Sequence, residues 1–170
     1  MSEAFQIRGG KKLHGEITPQ GAKNEALQIL CAVLLTGEEV RVKNIPDIHD
    51  VNRLIEILGD FGVKITKNAH GDYTFKADDV NFDYIKSKEF KKDGARLRGS
   101  IMILGPMLAR FGEAYMPTPG GDKIGRRRLD THFQGFVELG AEFHYDENEY
   151  FYTLKAKELR GKFILLEEAS

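Results

Sequence analysis

The pattern of apolar and polar residues predicts short strands separated by buried helices. Residues 22–35 are apolar over most of a helical surface, which indicates a helix buried on nearly all sides. Residues 47–61 carry one apolar stripe behind Asp47, the expected N-cap, whereas 83–94 show no period and are predicted to connect elements. The predicted helices are 22–35, 47–61, 97–110 and 130–139. The predicted strands, from period-two alternation and turn residues, are 5–8, 13–18, 39–44, 63–66, 73–76, 113–116, 141–145, 150–154 and 162–166.

The order helix, strand, loop, helix, hairpin occurs twice along the chain. Residues 32–40 match 106–114, and 57–65 match 136–143. The second copy carries extra residues, and these fall between its strand and its second helix. An insertion in one copy of a repeat commonly marks the face that binds ligands. The repeat predicts a mixed α/β fold (α+β in some schemes), built from β-α-β-α-β-β units with buried helices.

Composition narrows the class of protein. The chain has 170 residues, 41% hydrophobic and 30% charged, enough for one domain with a core or two very small ones. A formal net charge of -1 argues against nucleic acid as a partner. The single cysteine, Cys31, excludes an intrachain disulfide and favours the cytoplasm, and no apolar run is long enough to span a membrane. The histidines lack metal-ligand spacing, so no metal site is predicted.

The segment 116–130 holds the clearest candidate chemistry. Its prolines and glycines favour turns, and glycines let backbone N–H groups approach a ligand closely. The three consecutive arginines 126–128 provide planar groups that bind carboxylate or phosphate by paired hydrogen bonds. One carboxyl, Asp122, lies among them. This composition is typical of a loop that holds an anion beside an acid, although a solvated basic surface loop has the same composition.

Three motifs carry a resemblance to a known family: Gln20-Gly-Ala-Lys-Asn24, Arg98-Gly-Ser-Ile101 and Thr118-Pro-Gly-Gly-Asp-Lys-Ile-Gly-Arg-Arg-Arg-Leu-Asp-Thr-His132. Together they resemble the N-terminal part of the UDP-N-acetylglucosamine 1-carboxyvinyltransferase family of enolpyruvyl transferases. The resemblance implies an inside-out α/β barrel, incomplete here. It assigns 1–20 to strands of a second, C-terminal domain and 21–170 to about two of the three repeats of a first domain.

The resemblance also implies an activity. Family members transfer the enolpyruvyl group of phosphoenolpyruvate to the 3′-hydroxyl of UDP-N-acetylglucosamine and release phosphate, without a cofactor. This is the first committed step of peptidoglycan precursor synthesis, and so it serves cell wall biogenesis, cell shape and cell division. Because the C-terminal domain is missing from these residues, we expect the chain alone to be inactive. We also expect its exposed strand edges to promote self-association.

The family's functional residues transfer to matching positions. Lys23 and its neighbour Asn24 match phosphoenolpyruvate contacts, and Arg98 matches an arginine that holds the anionic substrates. The nucleotide-sugar contacts match Arg127, Arg128, Leu129, Asp130 and Thr131. Asp122 replaces the usual loop cysteine and is the candidate catalytic acid, which predicts insensitivity to fosfomycin-type epoxides that alkylate the thiol. Arg128 stands where the family commonly has proline.

Other interpretations of the same residues stay open. Each residue also has a purely structural interpretation. Lys23 fits a surface lysine at the start of a helix, Asn24 fits a helix cap, and Arg98 fits an exposed helix arginine. For the whole protein, one alternative is a non-catalytic module that binds nucleotide sugars. Another is the sister transferase that acts on a 3-phosphoshikimate-type acceptor, although that family carries Lys-Ser where this chain has Lys23-Asn24. Cys31 lies within the predicted apolar helix and is expected to be a core residue.

Overall fold

The computed structural model describes residues 4–118, 120 and 129–166. Its α-helices are α1 (Lys23–Ala32), α2 (His49–Asp60), α3 (Phe82–Ile85), α4 (Lys88–Gly94), α5 (Leu104–Phe111) and α6 (Asp130–Glu138). Its strands are β1 (Glu39–Val42), β2 (Lys64–Ala69), β3 (Asp72–Lys76), β4 (Glu113–Pro117), β5 (Glu142–Asp146) and β6 (Phe151–Lys155). Short 3₁₀ helices cover Val33–Leu35 and Arg98–Ile103.

The strands form two antiparallel sheets of the same design. Their orders are β1-β3-β2 and β4-β6-β5, so in each sheet the last strand of the repeat lies in the middle. The registers correspond: Val40 pairs with Phe75 in the first sheet, and Ala114 pairs with Leu154 in the second. The structure therefore confirms the predicted internal repeat and the mixed α/β class.

The helices pack their apolar residues into one core that the two repeats share. Leu30 of α1, Leu54 of α2 and Leu104 of α5 are all fully buried. Burying a side chain of this size contributes about 1.5–3 kcal/mol relative to leaving it exposed. The predicted helices are confirmed, but the two most apolar ones are divided. Residues 22–35 become α1 followed by a 3₁₀ turn, and 97–110 begin as a 3₁₀ helix before α5.

The prediction that 83–94 is a plain connection is wrong. This stretch forms most of α3 and all of α4, and each helix begins with a side-chain cap. The Asn81 side chain accepts a hydrogen bond from Tyr84 N at 3.0 Å, and Ser87 Oγ accepts one from Phe90 N at 3.2 Å. Helices this short have no full apolar period, so periodicity missed them.

The predicted N-cap of α2 is also wrong. The N-cap residue is Ile48, which makes no side-chain capping bond. The Asp47 carboxylate instead accepts a hydrogen bond from Asn52 Nδ2 at 2.7 Å. The start of α2 therefore keeps backbone N–H groups that no side-chain cap satisfies.

The strands predicted at both ends of the chain do not form. Within 4–20 and 156–166 the structure has no strand, and Phe5, Leu13 and Phe163 are 99%, 97% and 89% exposed. A strand requires a neighbour for its backbone hydrogen bonds, and no described strand pairs with either segment. No helix in the described part of the chain is both long and apolar enough to cross a membrane.

One side chain ties the two repeats together. The Arg110 guanidinium, at the end of α5, donates from Nη1 to the carbonyl oxygens of Leu34 at 3.0 Å, Thr36 at 2.9 Å and Ala77 at 2.8 Å. All three carbonyls belong to the first repeat. Because hydrogen bonds from a charged donor are strong when partly buried, Arg110 fixes the second repeat against the first.

Candidate functional site

Lys23 and Asn24 form the first turn of α1. The preceding Ala22 is extended and makes no side-chain cap, so Asn24 lies inside the helix instead of capping it. A Cβ at Gly21 would collide with the carbonyl oxygen of Asn44, so only glycine lets the chain enter α1 here. Both Lys23 and Asn24 are exposed, and the backbone N–H groups of this turn favour an anion.

Lys23 is held toward the start of the next helix. Its ammonium group forms an ion pair with Asp50, which lies in the first turn of α2. The side chains of Lys23 and Asp50 are 49% and 37% exposed, so the pair borders solvent.

Arg98 begins the 3₁₀ helix that packs against α1. The next residue, Gly99, lies against Leu27, because a Cβ built on Gly99 would be 3.0 Å from Leu27 Cδ1. Ser100 is fully buried, and its hydroxyl lies 3.0 Å from the Gly94 carbonyl and 2.5 Å from that of Leu97. These contacts give the backbone around Arg98 one position beside α1, and Arg98 itself is partly buried rather than exposed.

The beginning of the Gly-Arg segment lies against the residues that precede Arg98. Thr118 N donates to Tyr150 O at 2.8 Å, and Gly120 N donates to Ala95 O at 2.6 Å. A Cβ on Gly120 would collide with that same Ala95 oxygen. Gly120 is therefore required by a close backbone contact, and this contact brings the segment near Arg98.

The other end of the segment enters α6. Leu129 is the N-cap residue of α6, and its carbonyl accepts hydrogen bonds from His132 N at 3.1 Å and Phe133 N at 3.3 Å. Asp130 and Thr131 form the first turn of α6. The predicted site residues Asp122, Arg127 and Arg128 lie outside the described residues.

A charged network on α2 was missed by sequence analysis. Arg53 donates to Asp93 at 2.5 Å and to Glu56 at 2.7 Å, and the Tyr84 hydroxyl lies 3.2 Å from Asp60 and 3.4 Å from Asp93. Burial raises the pKa of the Tyr84 hydroxyl, and the nearby carboxylates raise it further. The network joins α2 to α4, immediately before Arg98. The contacts that leave α2, from Arg53 to Asp93 and from Tyr84 to Asp60, join residues distant in sequence, so no local pattern predicts them.

The described residues offer neither a reactive thiol nor a metal-binding cluster. Cys31 is buried, and that burial raises the pKa of its thiol to about 12, so it is a core residue and not a nucleophile. The described residues contain no cluster of histidine, cysteine, aspartate and glutamate able to hold a metal ion.

A cavity of about 790 Å³ is lined by Gly112, Ala156 and Arg160, and none of the described candidate site residues lines it.

Comparison with known sequences identifies the family. The EPSP synthase (3-phosphoshikimate 1-carboxyvinyltransferase) family matches residues 7–168. Proteins named UDP-N-acetylglucosamine 1-carboxyvinyltransferase match over 167 residues: 56% identical in Bacteroides thetaiotaomicron, 53% in Porphyromonas gingivalis and 41% in Borreliella burgdorferi. Each match covers 98% of this chain but 38% of the relative, so the chain spans well under half the length of these proteins.

Solved structures give the same fold. The enolpyruvyl transferase NikO from Streptomyces tendae superposes with a TM-score of 0.70 and 20% identity, covering 89% of this chain and 32% of NikO. The EPSP synthase from Acinetobacter baumannii superposes with a TM-score of 0.55 and 13% identity, covering 92% of this chain and 35% of that one. At these identities the likeness concerns the fold alone. Together with the family match over nearly its whole length, it means that the chain belongs to the EPSP synthase family of transferases.

Proposed function

We propose that this chain is the part of a UDP-N-acetylglucosamine 1-carboxyvinyltransferase that supplies one side of its substrate site. The observation that carries the proposal is the identity of 53–57% to proteins of that name over 98% of the chain. The substrates are phosphoenolpyruvate and the 3′-hydroxyl of UDP-N-acetylglucosamine. Because the chain spans 38% of those relatives, we propose that the 170 residues alone do not turn over.

The reaction is an addition followed by an elimination. In the addition, the 3′-oxygen bonds to C2 of the enolpyruvyl group while the methylene carbon gains a proton and the hydroxyl loses one. In the elimination, the bond from C2 to the phosphate oxygen breaks, and the methyl group loses a proton to restore the double bond. Both steps require cations around phosphate and carboxylate, and a group that delivers a proton to carbon.

The residues divide these tasks. Lys23 and Arg98 bind the anionic groups of phosphoenolpyruvate with Asn24 beside them, and their packing on α1 and the adjacent 3₁₀ helix supports this role. The nucleotide sugar is bound by Arg127, Arg128, Leu129, Asp130 and Thr131. The contact of Gly120 with Ala95 supports a common site, because it holds the start of the loop close to Arg98.

Asp122 is the proposed acid in place of the usual cysteine. A carboxyl protonates carbon only if its pKa is raised by desolvation or substrate anions, whereas nearby cations lower it. We expect fosfomycin not to label this protein covalently, because a carboxylate is a weak nucleophile toward an epoxide and Cys31 is a buried thiol. Mass spectrometry after incubation is the measurement, with a D122C variant as the positive control. Stable labelling of the unmodified protein would contradict the proposal.

The wider context follows from the same assignment. We propose that the two repeats belong to an inside-out barrel domain with three such units. The described residues 4–20 form no strand by themselves, and we assign 1–20 to strands of a second domain that supplies their pairing neighbours, with 21–170 in the first domain. The enzyme acts in the cytoplasm in the first committed step of peptidoglycan synthesis, and so serves cell wall formation and division.

A second candidate is the 3-phosphoshikimate transferase, which the name of the matching family favours. A phosphate-release assay distinguishes the two candidate functions. It uses the full-length natural protein that contains this chain, with phosphoenolpyruvate and either UDP-N-acetylglucosamine or shikimate 3-phosphate. We expect release only with the nucleotide sugar, and release only with shikimate 3-phosphate would refute the proposal. Binding of the nucleotide sugar without release would instead indicate a non-catalytic binding module.

The contribution of Lys23 is tested in the same assay. K23A is expected to lower kcat/KM for phosphoenolpyruvate by about 10–100-fold, as expected for loss of a charged contact. K92A removes an exposed lysine of α4 and serves as the matched control, with activity expected within about twofold of wild type. Equal activity of K23A and K92A would remove Lys23 from the site.

A further inference from the structure

Asp50 already lies where an anionic ligand of Lys23 must bind. Lys23 begins α1, Asp50 lies in the first turn of α2, and the two side chains form an ion pair. The pair is partly exposed, so a dissolved ligand reaches it without any rearrangement of the core. The ammonium group of Lys23 therefore has a carboxylate partner before any ligand arrives.

Asp50 lies near the N-terminus of α2. It follows Ile48, an N-cap residue without a side-chain cap, at the end of α2 where the backbone N–H groups carry partial positive charge. The start of α1 also lacks a side-chain cap. The acidic residue in the first turn of α1 itself is Glu25, which has no ion pair with Lys23 among the described contacts. Asp50 is thus the carboxylate that directly offsets the charge of Lys23.

We propose that Asp50 is an internal counter-ion that competes with the phosphate group of the ligand for Lys23. This inference rests on the proposed function, which assigns Lys23 to the phosphoenolpyruvate site. Neutralising Lys23 lowers the affinity of the site for a simple anion such as inorganic phosphate. A ligand that carries a second anionic group, bound by Arg98, overcomes that competition. Asp50 therefore favours phosphoenolpyruvate over phosphate, which is a product of the reaction.

The test is an NMR titration of the 170-residue chain with inorganic phosphate and, separately, with phosphoenolpyruvate. The readout is the shift of the backbone amides of residues 22–25. D50N keeps the shape of the side chain and removes its charge, and we expect it to bind inorganic phosphate about two- to fivefold more tightly than wild type, the range that follows from exposed ion pairs. The gain for phosphoenolpyruvate is expected to be smaller.

The matched control is E56Q. It removes the same charge from the same helix, about 9 Å further along the axis, where Glu56 pairs with Arg53. We expect E56Q to leave phosphate affinity within about 1.5-fold of wild type, because screening weakens exposed charges over that distance. A general loss of negative charge would increase affinity in both variants, whereas a counter-ion role increases it in D50N alone.

A second pair of variants decides whether the effect passes through Lys23. In a K23M background, D50N is expected to give no gain in phosphate affinity, because the ammonium group for which Asp50 and phosphate compete is absent. The proposal is overturned if D50N binds phosphate as wild type does or more weakly, if its gain persists without Lys23, or if neither wild type nor D50N binds phosphate at these amides.

Failure of this inference is distinguishable from failure of the proposed function. If D50N tightens phosphate binding through Lys23 but the complete protein releases no phosphate with UDP-N-acetylglucosamine, the proposed function fails and the counter-ion role stands. If the complete protein does transfer the enolpyruvyl group but D50N weakens phosphate binding, Asp50 orients Lys23 instead of competing for it, and this inference alone fails.

Discussion

In both repeats the connection from the first strand to the following helix begins with the same backbone hydrogen bond, but the rest of the connection differs. In the first repeat Ile45 N donates to Gly71 O at 2.9 Å, and in the second Thr118 N donates to Tyr150 O at 2.8 Å. Both acceptor residues have left-handed backbones, with φ of 67° at Gly71 and 50° at Tyr150. A tyrosine is unfavourable in this conformation, so the hydrogen-bonded geometry that both repeats share outweighs the local preference of the residue.

Beyond that anchor the connections diverge. Residues 43–48 lead from β1 directly into α2, with Ile45 and Pro46 buried. The corresponding connection of the second repeat, 118–129, is longer, and its Gly120 contacts Ala95 instead of entering the core. The comparison indicates that a repeat accepts an insertion after its anchoring hydrogen bond without loss of the scaffold. The longer connection is where ligand-binding residues are expected.

The sheets also differ at equivalent positions. In the first sheet, the Arg41 guanidinium donates two hydrogen bonds to the Asp72 carboxylate, at 2.9 and 2.7 Å. The second sheet has Tyr115 and Phe151 in their place, stacked with ring centroids 6.3 Å apart. The first sheet therefore uses a charged pair at the site where the second uses an aromatic pair, although the strand order is the same.

The largest expected effect comes from separating the repeats. R110A removes the guanidinium that binds three carbonyls of the first repeat, and we expect it to lower the free energy of unfolding by about 2–4 kcal/mol. Urea denaturation is the measurement. The control is R160A, whose side chain is 80% exposed and whose loss is expected to cost less than about 0.5 kcal/mol. Equal losses in both variants would show that Arg110 does not join the repeats.

The next effect concerns the insertion in the second repeat. G120A places a methyl group against Ala95 O and breaks the hydrogen bond between them, so we expect kcat/KM of the complete protein to fall by about 10–100-fold. G161A is the control, because a Cβ there meets no atom within 4 Å. If G120A retains activity within about twofold of G161A, the contact with Ala95 does not position the loop.

The charged pair of the first sheet predicts a difference in acid stability. The hydrogen bond from Arg41 lowers the pKa of Asp72 from 3.8 to about 2. The folded carboxyl therefore binds fewer protons than the unfolded one, so its contribution to stability is present above pH 3.8 and is lost as the pH falls through about 2. We expect the amide signals of β1 and β3 to broaden in this range before those of β4 and β6.

The control for the acid prediction is R41Q. The pKa of Glu113 in β4 is also lowered, chiefly by the hydrogen bond from Tyr115, so acid affects both sheets. In R41Q, only the part of the acid sensitivity that comes from the Arg41–Asp72 pair should disappear. If the two sheets lose their signals together in the unmodified protein, the charged pair does not distinguish them.

The smallest effect is a stabilisation of α6. A Cβ at Gly135 meets no atom within 4 Å, so G135A is expected to raise the free energy of unfolding by about 0.5–1 kcal/mol, the difference in helix propensity. G112A is the contrasting variant. Gly112 has φ of 72°, and a Cβ there would lie 2.8 Å from Ala156 O, so this change is expected to destabilise. A loss of stability in G135A, measured by thermal unfolding, would contradict the open space at that position.

Elements whose apolar residues repeat with a clear period could be predicted from the sequence. The long apolar stretch around Leu30 and the alternating strand around Val40 follow directly from such patterns, and so does the repeat itself. The pattern failed where elements are short, as in α3 and α4, and where a strand has no neighbour, as around Phe5. The placement of Asp122, Arg127 and Arg128 stays a prediction.

The sequence by itself determined the longer helices, the strands of both sheets and the segments that carry Lys23, Arg98 and the Gly-Arg motif, because period, turn residues and motifs are local properties. Only the tertiary structure decided which of these residues meet. Lys23 meets Asp50, Arg53 meets Asp93 and Arg110 meets carbonyl groups of the first repeat, all of them distant in sequence. An ion pair or a carbonyl contact leaves no periodic signal. Such contacts form only when packing of the apolar core has set the positions of the helices.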